Sequence, residues 1–76
     1  MLSLDQLRTG QRACVESIAG QDAIVQRLYE MGLLEGTELE VIAFAPLGDP
    51  IEIRLQDYRL SLRRSEAARV QVRLLG

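Results

Sequence analysis

The chain has 76 residues, 47% of them hydrophobic and 26% charged: enough for one domain with a thin core, and far too apolar for a disordered chain. Nine arginines against eleven acids leave a formal charge of −2, with no lysine or histidine. That balance excludes the basic excess of a phosphate-backbone binder, the lysine of a P-loop and the histidine base of the usual Ser/His and Cys/His nucleophile pairs.

Taken in chain order, Ser3 is placed to cap a short turn, LDQL, that puts Leu4 and Leu7 on one side before Gly10 ends it. RACVESIAG reads as a strand whose apolar residues Ala13, Val15 and Ile18 change parity, so a bulge near Glu16 or Ser17 is needed to keep them on one face. QDAIVQRLYEMG is the one full helix. Asp22 is its N-cap, Ile24, Leu28 and Met31 fall at i, i+4 and i+7 as the docking stripe, and Gly32 ends it in a left-handed conformation. At about 9–10 residues it is too short to stand alone.

Gly36 then suits the third position of a type II turn, before a strand in which Leu39 and Val41 alternate with Glu38 and Glu40. IEIRLQ and YRLSLR are the next strands, burying Ile51, Ile53, Leu55, Leu60 and Leu62, and Asp57 sits in the turn between them. RSEAA supplies one helical turn, and VQVRL closes the chain with Val70 and Val72 inward. Five short strands with closely spaced turns, and only one segment long enough for a crossover helix, predict a compact antiparallel barrel or strongly bent sheet forming a single domain over residues 1–76.

A lone cysteine, Cys14, excludes an internal disulfide, and nothing approaches the roughly 18–20 apolar residues of a membrane span or the layout of a leader. The expectation is a cytoplasmic protein without direct membrane insertion. One thiol and no imidazole cannot make a zinc site of nitrogen and sulfur donors. Asp49, Glu52 and Asp57 lie near loop ends and offer oxygen to a hard cation, but each also has an ordinary structural role, as a turn residue, an outward strand position and a hairpin residue. Arg54, Arg59, Arg63, Arg64, Arg69 and Arg73 are read as a solvated exterior. A nucleic-acid face of this kind usually adds exposed aromatics, and only Phe44, Tyr29 and Tyr58 are available.

RLYEMGLLEGTELEVI, APLGDPIEI and LSLRRSEA, followed by VQV, resemble the FeoA family in order and spacing, from about Gly10 to Val72. The resemblance implies a mainly β fold, a small SH3-like antiparallel β-barrel with one docked α-helix. It also implies a non-enzymatic accessory role in bacterial ferrous iron transport, by contact with the cytosolic G-domain region of a FeoB-type membrane transporter that would recruit the protein to the inner face of the membrane. No cofactor and no nucleic acid follow from it, and open barrel edges leave weak self-association open. Many relatives have proline where Glu35 stands, so this turn relies on Gly36 for its backbone freedom.

Two other readings remain at this stage: a carboxylate-based Fe(II) carrier or sensor with weak transition-metal binding, and a detached SH3-like domain of a DtxR-type metal-dependent repressor. For the contact reading, the stiff PLGDP loop raises a specific question. Leu47 either stands out beside Gly48 and Asp49 as a partner-binding residue, or folds back over the barrel mouth near Met31 and Leu33. Tyr29, Glu30 and Leu34, around the end of the helix, form a second candidate contact surface.

Overall fold

The computed structural model describes residues 2–76. Its elements are β1 (Leu2–Ser3), a 3₁₀ turn (Leu4–Gln6), β2 (Arg12–Ile18), α1 (Ala23–Glu30), β3 (Glu38–Phe44), β4 (Ile51–Leu55), β5 (Tyr58–Leu62), α2 (Arg64–Ala67) and β6 (Val70–Leu74). The strands lie in the order β1-β6-β2-β3-β4-β5, and every neighbouring pair is antiparallel. The two-residue strand β1 was not expected from the sequence: it is too short to show alternation, and only its pairing of Leu2 with Val72 and Ser3 with Gln71 defines it.

Strand alternation sets the faces, and two bulges correct it where the sequence slips. The register of β2 on β6 shifts between Val15 and Ser17, so Ala13, Val15 and Ile18 all reach the interior despite their parity. A second shift falls in β3 between Val41 and Ala43, which bends the strand toward its loop. Inside the bend, Leu39, Val41, Ile51, Ile53, Leu55, Leu62, Val70 and Val72 form one buried cluster with Leu4 and Leu7 of the N-terminal turn. Leu60 is only half-buried, packed against the edge of this cluster.

The helix closes the cluster with Val25 and Leu28, and here the structure corrects the expected stripe. Ile24 is 36% exposed while Val25 is buried, and Met31 is half-buried. Ile24 and Val25 are adjacent, and either one extends to Leu28 at helical spacing, so periodicity alone leaves the phase of the first turn open. What fixes the phase is the helix start. Asp22 Oδ1 accepts from the Val25 N–H at 3.3 Å and from Arg69 Nη1 at 2.6 Å, and Val25 packs toward Gly20.

The other end of α1 is held more tightly. Gly32, at φ 100°, closes a Schellman motif in which its own N–H donates to Tyr29 O at 3.0 Å and the Leu33 N–H donates to Leu28 O at 3.1 Å. Leu28 and Leu33 are both fully buried, the apolar contact that accompanies this motif. Tyr58, at the start of β5, donates its hydroxyl to the Met31 carbonyl at 2.8 Å and so takes up a carbonyl at the helix end. A third fastening joins the two helices: Glu66 is buried, with Oε1 accepting from the Arg63 N–H at 2.8 Å and Oε2 paired with Arg27 of α1 at 2.9 Å.

The two glycine turns on either side of Leu34 separate backbone strain from steric fit. A side chain at Gly32 needs a left-handed backbone and also overlaps the Tyr58 hydroxyl, whereas Gly36, at φ 90°, faces open space. Gly36→Ala is expected to cost about 1 kcal/mol. Gly32→Ala is expected to cost about 2–3 kcal/mol, a fall in Tm on the order of 10 °C or more in thermal unfolding followed by circular dichroism. Equal losses at the two positions would mean that the Tyr58 contact contributes nothing.

The Asp22 carboxyl is held below its ordinary value first by the Arg69 hydrogen bond, which outweighs the opposing effect of desolvation, and then by the Val25 amide and the charge of Arg69. Because the folded value is the lower one, this contribution is complete above the unfolded carboxylate value of about 4 and is lost as pH falls through the folded value. Asp22→Asn keeps a capping oxygen and removes the charge. The Tm gap between wild type and Asp22→Asn is expected to be constant from about pH 7 to 5 and to narrow below about pH 4. A gap that is flat down to about pH 3 would show that the charge itself is without effect.

Candidate interaction surface

The loop between β3 and β4 is built by local chemistry before any partner is considered. Ala45 and Pro50 face each other across its base, with the Ala45 N–H donating to Pro50 O at 3.0 Å, and the Gly48 N–H donates back to Ala45 O at 2.7 Å. Gly48 has φ 84°, the conformation that lets so short a loop reverse. The loop is then tied to α2. Asp49 Oδ1 accepts from the backbone N–H of Arg64 at 3.0 Å, and Arg64 Nη1 donates to Gly48 O at 3.3 Å.

That bracing leaves Leu47 at the tip, 96% exposed, with Pro46 exposed before it. Leu47 therefore does not fold back over Met31 and Leu33. A fully exposed leucine on an unbraced loop would be unremarkable. Here two side-chain and two backbone hydrogen bonds hold the loop from which it projects. Gly48 is half-buried beneath it and Asp49 is exposed but engaged.

Tyr29 and Leu34 are 41% and 52% exposed, and Glu30 is exposed between them in the chain. They surround the end of α1, where Tyr58 is a further exposed apolar side chain, 45% accessible and anchored to Met31 O. The six candidate residues are thus not brought together. The Leu47 loop leads into Ile51 at one end of β4, whereas Tyr58 pairs with Leu55 at the other, about 13 Å along a five-residue strand. They form two separate surfaces.

The outward faces of the strands are a lattice of opposite charges. Arg54 pairs with Glu40, Arg12 with Glu38 at 3.3 Å, Arg59 with Glu52 at 3.5 Å, and Arg73 with Glu16 at 3.8 Å. With Arg69 on Asp22 and Arg27 on Glu66, most of the arginines are compensated within the chain, which agrees with a solvated exterior rather than a basic face. Between β3 and the end of β4, Arg12, Glu38, Glu40, Arg54 and Gln56 rim an open, shallow groove with walls of both signs.

Glu52 is engaged by Arg59 and Asp49 by the Arg64 amide, and among the described residues no group of three His, Cys, Asp or Glu side chains could hold a metal ion. Cys14 is buried on β2 between its cross-strand neighbours Arg73 and Glu38. No helix of the described residues is long and apolar enough to cross a membrane. Sequence reasoning missed Tyr58 as a helix cap and Glu66 as a buried link. Only half of a capping box joins Glu66 to the Arg63 N–H, and with arginine at the N-cap nothing in the local sequence pointed to either residue.

A bent antiparallel sheet closed by one short helix, with a braced loop at its rim, defines a small barrel of the SH3-like class. A model of the FeoA domain matches residues 2–74, including the N-terminal turn where the motif likeness was loosest, and the chain belongs to the FeoA family. It is 38% identical over 75 residues to the Fe(2+) transport protein A/Fe(2+) transporter FeoB fusion protein of Porphyromonas gingivalis, and spans 9% of that protein's length. The solution structure of the FeoA protein of Chlorobium tepidum superposes with a TM-score of 0.91 at 43% identity, covering 99% of this chain and 71% of that one.

The zinc complex of Stenotrophomonas maltophilia FeoA, a prokaryotic SH3 domain protein, superposes with a TM-score of 0.84 at 36% identity, covering 96% and 91%. A manganese-dependent transcriptional repressor shares the fold alone, with a TM-score of 0.90 at 20% identity over 97% of this chain and 36% of that one. The family is associated with Fe(2+) transport.

Asp49→Ala leaves the first amide of α2 without its carboxylate. The expected result is a loss of about 0.5–1.5 kcal/mol, with faster hydrogen exchange at the Arg64 and Gly48 amides. Unchanged exchange at both amides would show that the loop is held without Asp49.

Proposed function

We propose that residues 1–76 act as one non-enzymatic SH3-like module that assists ferrous iron transport by binding the cytosolic region of a FeoB-type membrane transporter, at the cytoplasmic face of the membrane. The identity of the partner draws on the fusion protein of Porphyromonas gingivalis, whose name joins both parts in one chain. The mode of contact draws on one observation in this chain, the exposure of Leu47 on a loop closed by its own backbone bonds and tied to α2. A loop whose backbone is ordered before binding loses little further backbone entropy on docking, so more of the gain from burying the leucine goes into affinity.

Tyr29, Glu30 and Leu34 are the second surface in this reading. They carry apolar area beside the anchored Tyr58 ring, but they lie at the far end of β4, so one flat contact does not readily engage both patches. A carboxylate carrier of Fe(II) finds less support, since among the described residues no three His, Cys, Asp or Glu side chains come together and Asp49 and Glu52 each have an oxygen engaged within the chain. Anaerobic titration with Fe(II) or Mn(II) is expected to give no tight stoichiometric site.

The deciding experiment retains this protein on the immobilised cytosolic region of the transporter. Leu47→Asp is expected to abolish retention and transporter-dependent iron uptake while its Tm stays within about 3 °C of wild type, because the side chain leaves no cavity and breaks no contact. Leu34→Asp tests the second surface in the same way. Full retention of both variants would overturn the reading, and a large fall in Tm for Leu47→Asp would mean that the leucine serves the fold.

A further inference from the structure

Charge is distributed over this molecule in a way that singles out the same corner. Six of the nine arginines, Arg12, Arg27, Arg54, Arg59, Arg69 and Arg73, are paired with a carboxylate of their own chain. Among the described residues the remaining three, Arg8, Arg63 and Arg64, have no such pair, and all three are exposed. Arg63 and Arg64 open α2 directly beside the Leu47 loop, where Arg64 Nη1 already touches the Gly48 carbonyl. Arg8 follows the 3₁₀ turn that packs against α2.

The acids of this neighbourhood do not complete the pairing. Asp49 gives an oxygen to the Arg64 backbone amide rather than to a guanidinium, Asp5 accepts from the Ser3 hydroxyl, and Glu66 is buried on Arg27. In a chain that compensates its other arginines, two exposed arginines without a carboxylate open the helix that is tied to the loop of the one fully exposed leucine; Arg64 spends one donor on the Gly48 carbonyl and keeps the rest of its guanidinium unpaired. Guanidinium donors favour planar, bidentate carboxylate partners.

We propose that the partner surface which receives Leu47 is an apolar depression rimmed by carboxylates, and that Arg63 and Arg64 form the intermolecular ion pairs around it. This rests on the transporter-contact reading above and adds the chemistry of the other side. The division of labour is the usual one at an interface: the buried leucine sets the lifetime of the complex, while the rim charges steer the approach and make it dependent on salt. The overall charge of −2 does not oppose this, because charges beyond a Debye length of about 8–10 Å are screened at ordinary salt and the local patch governs the encounter.

The test measures binding to the immobilised cytosolic region of the transporter at about 50 and about 300 mM salt, for wild type, Leu47→Asp, Arg63→Glu and the double variant Arg63→Glu/Arg64→Glu. Among the described residues the exposed Arg63 side chain makes no hydrogen bond or ion pair, so Arg63→Glu is expected to keep the wild-type Tm, measured beside its binding. Wild type is expected to weaken as salt rises. Arg63→Glu, which leaves the Arg64 contact with the Gly48 carbonyl in place, is expected to bind about tenfold more weakly at low salt and to lose most of the salt dependence, and the double variant to bind more weakly still.

If Leu47→Asp abolishes binding while both arginine variants bind as wild type at both salt concentrations, the carboxylate rim is overturned and the contact reading stands. If all variants bind as wild type, the contact reading itself fails and takes the rim with it. A third outcome also overturns the proposal: no binding to the transporter region, but sedimentation of wild type with vesicles of 7:3 phosphatidylcholine and phosphatidylglycerol that is lost in the arginine variants. It would assign the guanidiniums to lipid headgroups instead.

Discussion

A chain this short must gather most of its large aliphatic side chains on the inside of one bent sheet, and it can do so only because the sheet slips register. Without the shift between Val15 and Ser17, strand alternation would turn Ile18 outward and leave β6 without its cover. The second shift, between Val41 and Ala43, bends β3 and delivers the chain into the loop that carries Leu47. The inward parity of the core and the position of the exposed loop are therefore two effects of the same device. The helix completes what the sheet leaves open, with Leu28 and Leu33 meeting across the Schellman turn.

With the interior filled by aliphatic side chains, charge is confined almost entirely to the outside, and there it is largely spent on pairs between neighbouring strands. Exposed pairs of this kind contribute little stability individually. Their effect is rather to remove donors and acceptors from use: Arg12, Arg54 and Arg59 face their own carboxylates across the sheet and present a surface of alternating sign. Glu66 differs, because it is buried and bonded to both an amide and a guanidinium, and loss of Arg27 would leave a buried carboxylate without its opposite charge.

Against this background the corner formed by the β3–β4 loop and α2 is unlike the rest of the molecule. It combines an ordered loop, an apolar tip and guanidiniums without carboxylates, and it achieves the order with interactions that face inward from the tip. The Asp49 carboxylate and one donor of Arg64 hold the loop in place, which leaves Leu47 exposed at its tip. A fold of the SH3-like class thus needs no enclosed cavity to be useful.

Much of this was legible from residue order. Alternation identified β3, β4, β5 and β6 and their inward residues, the parity break in β2 demanded a bulge where one is found, and Asp22, Gly32 and Gly36 marked a helix start, a helix end and a turn by the backbone chemistry each allows. The same stretches, with their spacing, carried the likeness to the FeoA family. What sequence could not decide was phase and distance. Ile24 and Val25 both fit the helical period, and it is packing in the folded sheet, with Val25 against Gly20 and the helix start held by Asp22 on Arg69, 47 positions away, that turns Val25 inward. Tyr58 reaches a carbonyl 27 residues away, and Leu47 had two placements until α2 came to lie beside its loop. Local order sets which conformations a segment can adopt, because those depend on dihedral freedom and on side chains a few residues apart; which of them is occupied depends on neighbours that only the closed sheet brings into reach.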